Sequence, residues 1–242
     1  LEKSPEHLHT YRLTPLSLWN ATSAGFTPED AIKVLEKYAR YDVPQSVVFW
    51  IQETAGRFGK LKIVPGPKMQ VPLKPTEVFS EETTYTGQMI EEQFLYLVAS
   101  SKPIFLEISA NPNLKKYISP CEYDESVENA CVELTEDEKK YCFLLKLTDR
   151  GTIKQELLKI LWPVKDEVQL EDGEPLDFSL KETTSDGKKL EIRNYQKEAA
   201  KAIVGNRGPG TGFGTIVLPC GAGKTVVGMT VMDMLKTSTL II

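Results

Sequence analysis

The sequence predicts an α/β protein in which a phosphate-binding lobe opens near the C-terminal end, preceded by a helical winged-helix-like module and a small α+β domain. Three observations predict it. A strand, a glycine-rich loop and a helix follow one another over residues 215–235. Helix-start signals with apolar residues at helical spacing occupy residues 27–58. Between residues 87 and 161, short apolar runs of strand length alternate with helical periodicity.

The first module, residues 1–72, reads as short helices followed by a hairpin. Thr27-Pro28-Glu29-Asp30 is a helix start: a Thr cap, Pro at the first helical position and acids in the first turn. Ala31, Ile32, Val34, Leu35, Tyr38 and Ala39 then recur at helical spacing. Asp42-Val43-Pro44 breaks that helix, and Pro44 opens another through Val47, Val48, Ile51 and Phe58, with Gly59 as its stop. Leu61, Ile63 and Val64 suggest a strand, Pro65-Gly66-Pro67 a turn, and Met69 to Pro72 the returning strand. A winged-helix-like module and a purely structural helical cap share this pattern.

The second domain, residues 73–163, is expected to be α+β. A helix is expected over Gly87–Ala99, carrying Ile90, Phe94, Leu95 and Leu97. Ile104-Phe105-Leu106-Glu107-Ile108 and Tyr141-Cys142-Phe143-Leu144-Leu145 look like buried strands. Thr152 and Gln155 have capping-box spacing ahead of Ile153, Leu157, Leu158, Ile160 and Leu161, and Pro163 ends that helix. Turn formers between few apolar anchors make residues 164–190 a linker. Residues 191–242 are expected to be the truncated start of the phosphate-binding lobe.

Bulk properties narrow the function classes. Of 242 residues, 41% are hydrophobic and 26% charged, an ordinary globular balance. No apolar run approaches the ~20 residues that span a bilayer, and the first residues lack the apolar core of a signal peptide, so no membrane partner is expected. A missing initiator Met suggests a trimmed N-terminus. Cys121, Cys131, Cys142 and Cys220 fit no zinc or redox spacing and read as free thiols in a cytoplasmic protein. The net charge of −5 is uneven: residues 81–150 hold seven basic against fourteen acidic side chains, densest from Glu122 to Glu138. Such a run reads as a solvated loop or face.

Chemistry concentrates in Leu218-Pro219-Cys220-Gly221-Ala222-Gly223-Lys224-Thr225, between the apolar strand Thr215–Leu218 and the helix from Val226 to Leu235. Cradling a phosphate requires successive backbone N–H groups to face one anion with no side chain in the way. Gly221 and Gly223 permit that geometry. Lys224 would reach the β- and γ-phosphates of ATP, and the Thr225 hydroxyl would bind Mg²⁺. Cys220 has no metal partner and no adjacent His, so it reads as packing. Against G-x-x-x-x-G-K-[ST] the sequence departs once, with Leu218 at the first Gly. Upstream, Arg193-Asn194-Tyr195-Gln196 precedes an amphipathic helix (Ala199, Ala200, Ile203, Val204), and the Gln196 amide offers donor and acceptor to an adenine edge.

A Gln about twenty residues or more ahead of Pro-x-Gly-x-Gly-Lys-Thr resembles the Gln motif and Walker A of superfamily 2 helicases, whose loop lacks the first Gly. With Cys220 where most members carry Thr or Ser, the loop resembles the XPB family of DNA helicases in particular. Tyr11 to Asn20, Tyr41-Asp42-Val43-Pro44 to Leu61, and Gly151-Thr152-Ile153-Lys154-Gln155 to Val164 resemble the N-terminal half of bacterial members. The resemblance implies a 3′–5′ DNA helicase or duplex translocase of nucleotide excision repair. It further implies two RecA-like lobes, ATP with Mg²⁺, DNA bound mainly through the full helicase core, and a damage-recognition-type domain at residues 73–163. A repair nuclease or other repair factor is an expected partner. The setting would be the bacterial or archaeal cytoplasm, or the nucleus of a eukaryote. No Asp-Glu-x-His follows a strand within residues 1–242, so hydrolysis is not expected from these residues alone. The alternative is a non-catalytic partner-docking protein with a vestigial phosphate loop.

Overall fold

The computed structural model describes residues 2–3, 11–72, 89–127, 133–169, 173–184, 186–206, 208, 212 and 214–241. It divides into two compact units, Leu1–Glu167 and Val168–Ile242.

The first unit opens with a two-stranded pairing of β1 (Glu2–Lys3) and β2 (Tyr11–Arg12). Three helices follow: α1 (Pro15–Ser23), α2 (Pro28–Tyr38) and α3 (Gln45–Ala55). Thr14 caps α1 and Thr27 caps α2, each in a reciprocal box with the residue three positions on, Ser17 and Asp30. Leu18 and Trp19 of α1 are buried, and the Trp19 indole N–H donates to the Thr54 carbonyl of α3 at 2.8 Å. α3 opens after Pro44 as expected, but it ends at Ala55 rather than Phe58, with a turn running to Gly59.

Beyond α3 stands a mixed sheet of five strands, β3 (Leu61–Pro72), β4 (Met89–Ala99), β5 (Ile118–Cys121), β6 (Cys142–Lys146) and β7 (Lys165–Asp166), in the order β5-β6-β4-β3-β7. β3 (Leu61–Pro72) is one continuous strand, which corrects the expected hairpin. Pro65-Gly66-Pro67 makes a bulge instead of a turn: Pro65 faces Leu95, and the next paired residue, Lys68, faces Gln93. Prolines fit there because they have no N–H to give a ladder. Gly66 fits because a Cβ at that position would lie 2.9 Å from both the Leu95 Cα and the Phe94 carbonyl oxygen. The Gln93 side chain bridges the defect, its amide donating to the Gly66 and Phe94 carbonyls at 2.8 and 2.7 Å.

β4 (Met89–Ala99) replaces the helix expected over Gly87–Ala99, and α4 (Lys102–Ala110) replaces the strand expected at Ile104–Ile108. The two readings exchanged places for related reasons. β4 runs inside the sheet between β3 and β6, and Phe94–Ala99 are buried on both of its faces, so the run shows no period of two. In α4 only Ile104 and Ile108 are buried, one turn apart, while Leu106 is exposed. Phe105 stacks on Phe143 with ring centroids 4.5 Å apart. β5 (Ile118–Cys121) and β6 (Cys142–Lys146) complete the antiparallel part, β6 lying one residue beyond its expected place.

α6 (Arg150–Lys159) starts two residues before Thr152, so the expected Thr152–Gln155 box is not its cap. Ile153 and Leu157 are buried; Leu158 and Leu161 are exposed. Leu161 adopts a left-handed φ of 62°, and the Trp162 N–H returns to the Leu157 carbonyl at 2.9 Å. The chain then enters β7 (Lys165–Asp166), parallel to β3, so the first residues of the expected 164–190 linker belong to the sheet. Asp166 is buried and accepts two hydrogen bonds from the Arg150 guanidinium, at 2.9 and 2.8 Å, and one from Lys154 at 2.9 Å. Because β3 pairs with β4, the expected modules 1–72 and 73–163 share this one sheet.

The acidic run is not all solvated. Thr135 caps α5 (Glu136–Lys140), with Glu138 reaching back to the Thr135 N–H at 2.9 Å. Glu138 is buried and pairs with Lys62 of β3 at 2.6 Å. Burial pushes its carboxyl up, but the Lys62 ammonium and the Thr135 N–H together outweigh that and hold it below the usual glutamate value. A depressed folded-state pKa gives stability that is complete above the unfolded value and lost as pH falls through the folded one. Stability of the full chain should therefore fall as pH drops below about 4.5, and Glu138→Gln should make that part of the acid limb shallower. Urea denaturation across pH 3–6 checks this; an unchanged limb in the variant would remove Glu138 from the account.

Candidate phosphate-binding site

The second unit contains α7 (Asn194–Val204) and α8 (Lys224–Leu235), which pack through Ala200 and Val204 on one helix and Val227 and Thr230 on the other. The expected strand Thr215–Leu218 is not formed, and residues 239–241 form none among the described residues. A strand needs a ladder, and among the described residues the unit offers only the lone bridges Pro175–Thr237 and Thr183–Lys189. Val217, Leu240 and Ile241 accordingly stand exposed. Leu176 and Ser238 hold the start of the unit to its end, through the Lys236 and Glu174 carbonyls.

Pro219 to Gly223 form a turn that runs directly into α8. Gly221 and Gly223 have φ of 77° and 79°, in the left-handed region where a side chain is costly. Gly223 occupies the cap position of α8 and supplies no side-chain acceptor, so the first-turn N–H groups have no side-chain cap. Lys224 and Thr225 are exposed at the first turn, as is Cys220, which corrects its reading as packing. The Lys224 ammonium lies 3.5 Å from the Pro219 carbonyl, folded back over the loop.

The loop is braced from α7. Gln196 is buried, its Nε2 donating to the Ala222 carbonyl at 2.9 Å and its Oε1 accepting from the Arg193 N–H at 2.9 Å. The Tyr195 hydroxyl donates to the same Ala222 oxygen at 2.8 Å. The Ala222–Gly223 peptide is planar and trans, so pinning its carbonyl toward α7 turns the Gly223 N–H the opposite way. Two donors on one oxygen therefore fix the direction of a loop N–H. The Arg193 side chain is exposed, with its guanidinium 3.5 Å from the Tyr195 hydroxyl.

Sequence reasoning placed Gln196 at an adenine edge. In the structure both ends of its amide are engaged by backbone, and its position is that of a brace. Tyr195 was missed, although its place beside Gln196 at the start of α7 was legible. The residues present fit a nucleoside triphosphate with its divalent cation: a left-handed glycine pair, a helix N-terminus without a side-chain cap, an ammonium and a hydroxyl at the first turn.

Removing the amide leaves the part-buried Ala222 carbonyl with one donor in place of two and the loop less ordered. Gln196→Ala should weaken ATP and GTP binding alike, roughly tenfold, with Tyr195→Phe giving a smaller loss. Titration with fluorescent analogues of both nucleotides checks this; a loss confined to ATP would assign the amide to the base.

Among the described residues no helix is long and apolar enough to cross a membrane. Residues 189–242 match the family described as type III restriction enzyme, res subunit, and residues 1–81 match one described as helicase conserved C-terminal domain. The chain is 32% identical over 242 residues to the DNA 3′–5′ helicase XPB of Mycobacterium tuberculosis, covering 100% of this chain and 35% of the relative. Identity to the helicase of the same name from Kineococcus radiotolerans is 35%, covering 100% and 34%. It is 29% to the general transcription and DNA repair factor IIH helicase/translocase subunit XPB of Schizosaccharomyces pombe, covering 98% and 31%. The chain thus spans about a third of the length of the curated relatives it matches, and through all 242 of its residues it is similar to the DNA 3′–5′ helicases named XPB.

Proposed function

We propose that this chain is the N-terminal part of an ATP-dependent DNA helicase or duplex translocase, working 3′–5′ in nucleotide excision repair. The observation that carries the reading is the braced loop: Gly221 and Gly223 left-handed, the Ala222 carbonyl held by Tyr195 and Gln196, and Lys224-Thr225 opening α8. The names of the relatives supply the class of motor and its polarity.

In this reading residues 191–242 begin the first RecA-like lobe. The loop N–H groups and the Lys224 ammonium hold the β- and γ-phosphates, and the Thr225 hydroxyl holds Mg²⁺. Phosphoanhydride hydrolysis supplies the free energy that drives movement along DNA. Lys224 already lies against the Pro219 carbonyl, so binding exchanges one weak hydrogen bond for a charge-assisted one. Lys224→Ala in the full-length protein should keep the fold, because the side chain is exposed, and reduce DNA-stimulated ATPase at least about a hundredfold. Turnover near wild type would remove the loop from the chemistry.

Charge argues that duplex contact falls mainly to the helicase core. Residues 168–242 hold nine basic and nine acidic side chains, so the chain's whole net charge of −5 lies in the first unit. Phosphate contact needs uncompensated Lys and Arg, and here Lys62, Lys139, Arg150 and Lys154 are each paired with a carboxylate. Residues 1–167 expressed alone should bind duplex DNA no tighter than about 10 μM at physiological salt. Submicromolar binding whose salt slope reports several phosphate contacts would show local geometry outweighing net charge.

A further inference from the structure

Cys121 and Cys142 lie twenty-one positions apart in sequence and directly opposite each other in the β5–β6 register. Their sulfurs are 3.4 Å apart, and both are free thiols. Cys142 is fully buried; Cys121, on the edge strand, is half-buried. Around them stand Val64, Tyr96, Val98, Tyr123 and Leu134, an apolar surround. Opposed residues of an antiparallel pair have Cα atoms about 4.5–5.5 Å apart, inside the span a disulfide bridges, so closing the bond requires side-chain rotation rather than strand movement.

We propose that Cys121 and Cys142 form a reversible disulfide, a redox modification site that fastens the edge strand β5 and the acidic segment behind it to the sheet. The two sulfurs are not equivalent. The hydrogen bond between the two thiols draws Cys121 below the usual thiol value, while that same bond and burial raise Cys142. Cys121, nearer to solvent, is the attacking thiolate. With a low-molecular-weight disulfide such as oxidised glutathione as oxidant, its sulfur displaces one glutathione thiolate and forms a mixed disulfide. The Cys142 sulfur then attacks the Cys121 sulfur and releases the second glutathione, which takes the Cys142 proton. Two protein thiols become one disulfide as one oxidised glutathione becomes two reduced.

Among the described residues β5 has one neighbour in the sheet, β6. The bond closes a loop that contains α5 and Glu138, whose carboxylate pairs with Lys62 of β3. Cross-linking a loop of this length restricts the unfolded chain, and a rise of roughly 5–10 °C in Tm is expected on oxidation.

The test equilibrates the full chain in glutathione buffers of graded ratio, quenches by alkylation and maps disulfides by peptide mass. A Cys121–Cys142 linked peptide, reversed by dithiothreitol and accompanied by the Tm rise, is the expected result. Cys131→Ser should leave the bond intact. Cys121→Ser, a near-isosteric change at a half-buried position, should abolish both the linked peptide and the shift while keeping the far-ultraviolet circular dichroism. A stable glutathione adduct on Cys121 with Cys142 still reduced would overturn the proposal, as would a bond from either cysteine to Cys131.

Discussion

Everything in the first unit hangs on β4 having a neighbour along each edge. β3 pairs with it in spite of a bulge, and β6 pairs with it from Phe94 to Val98. Such a strand runs inside the sheet, and the inner half of β4 buries every side chain from Phe94 to Ala99, on both faces. That demand explains the residues around it. Gly66 is small because β4 backbone passes within van der Waals range, and Gln93 is polar because a bulge leaves carbonyls to satisfy. Glu138 and Lys62 become tolerable inside because each charge meets the other and Thr135 completes the carboxylate's hydrogen bonds.

The same constraint decided what could be read in advance. Helix starts were legible where the signal is local: Thr27-Pro28-Glu29-Asp30 caps α2 as its composition says, because capping involves four consecutive residues. β4 and α4 were read in each other's place because burial on both faces removes the period of two, and because a short amphipathic helix holds apolar residues on its exposed side as well. The Thr135–Glu138 box was available in the sequence but hidden by its neighbours: eight acids between Glu122 and Glu138 suggested solvent, and only the fold shows which one of them turns inward.

In the second unit the loop residues were readable and the supporting ones were only half so. Gly221, Gly223, Lys224 and Thr225 announce themselves by a pattern in which each residue type has one physical task. Gln196 was found by its spacing from the loop, but spacing carries no information about which way an amide faces. Tyr195 has no pattern of its own. Its role comes from sharing one acceptor, the Ala222 carbonyl, with the residue beside it, which a linear reading does not reveal.

The closeness of Gly223 to Gln196 has a consequence for how this site can change. A Cβ at position 223 would lie 2.5 Å from the Gln196 Nε2, so a side chain there displaces the amide that holds the loop. The cap of α8 and a residue of α7 are therefore coupled. A lineage that gave up the amide would be released from the spatial demand at 223 but not from the left-handed backbone, which Asn could still satisfy at modest cost. Position 223 stays closed while Gln196 braces the loop, and the route that stays open runs through Gln196 first.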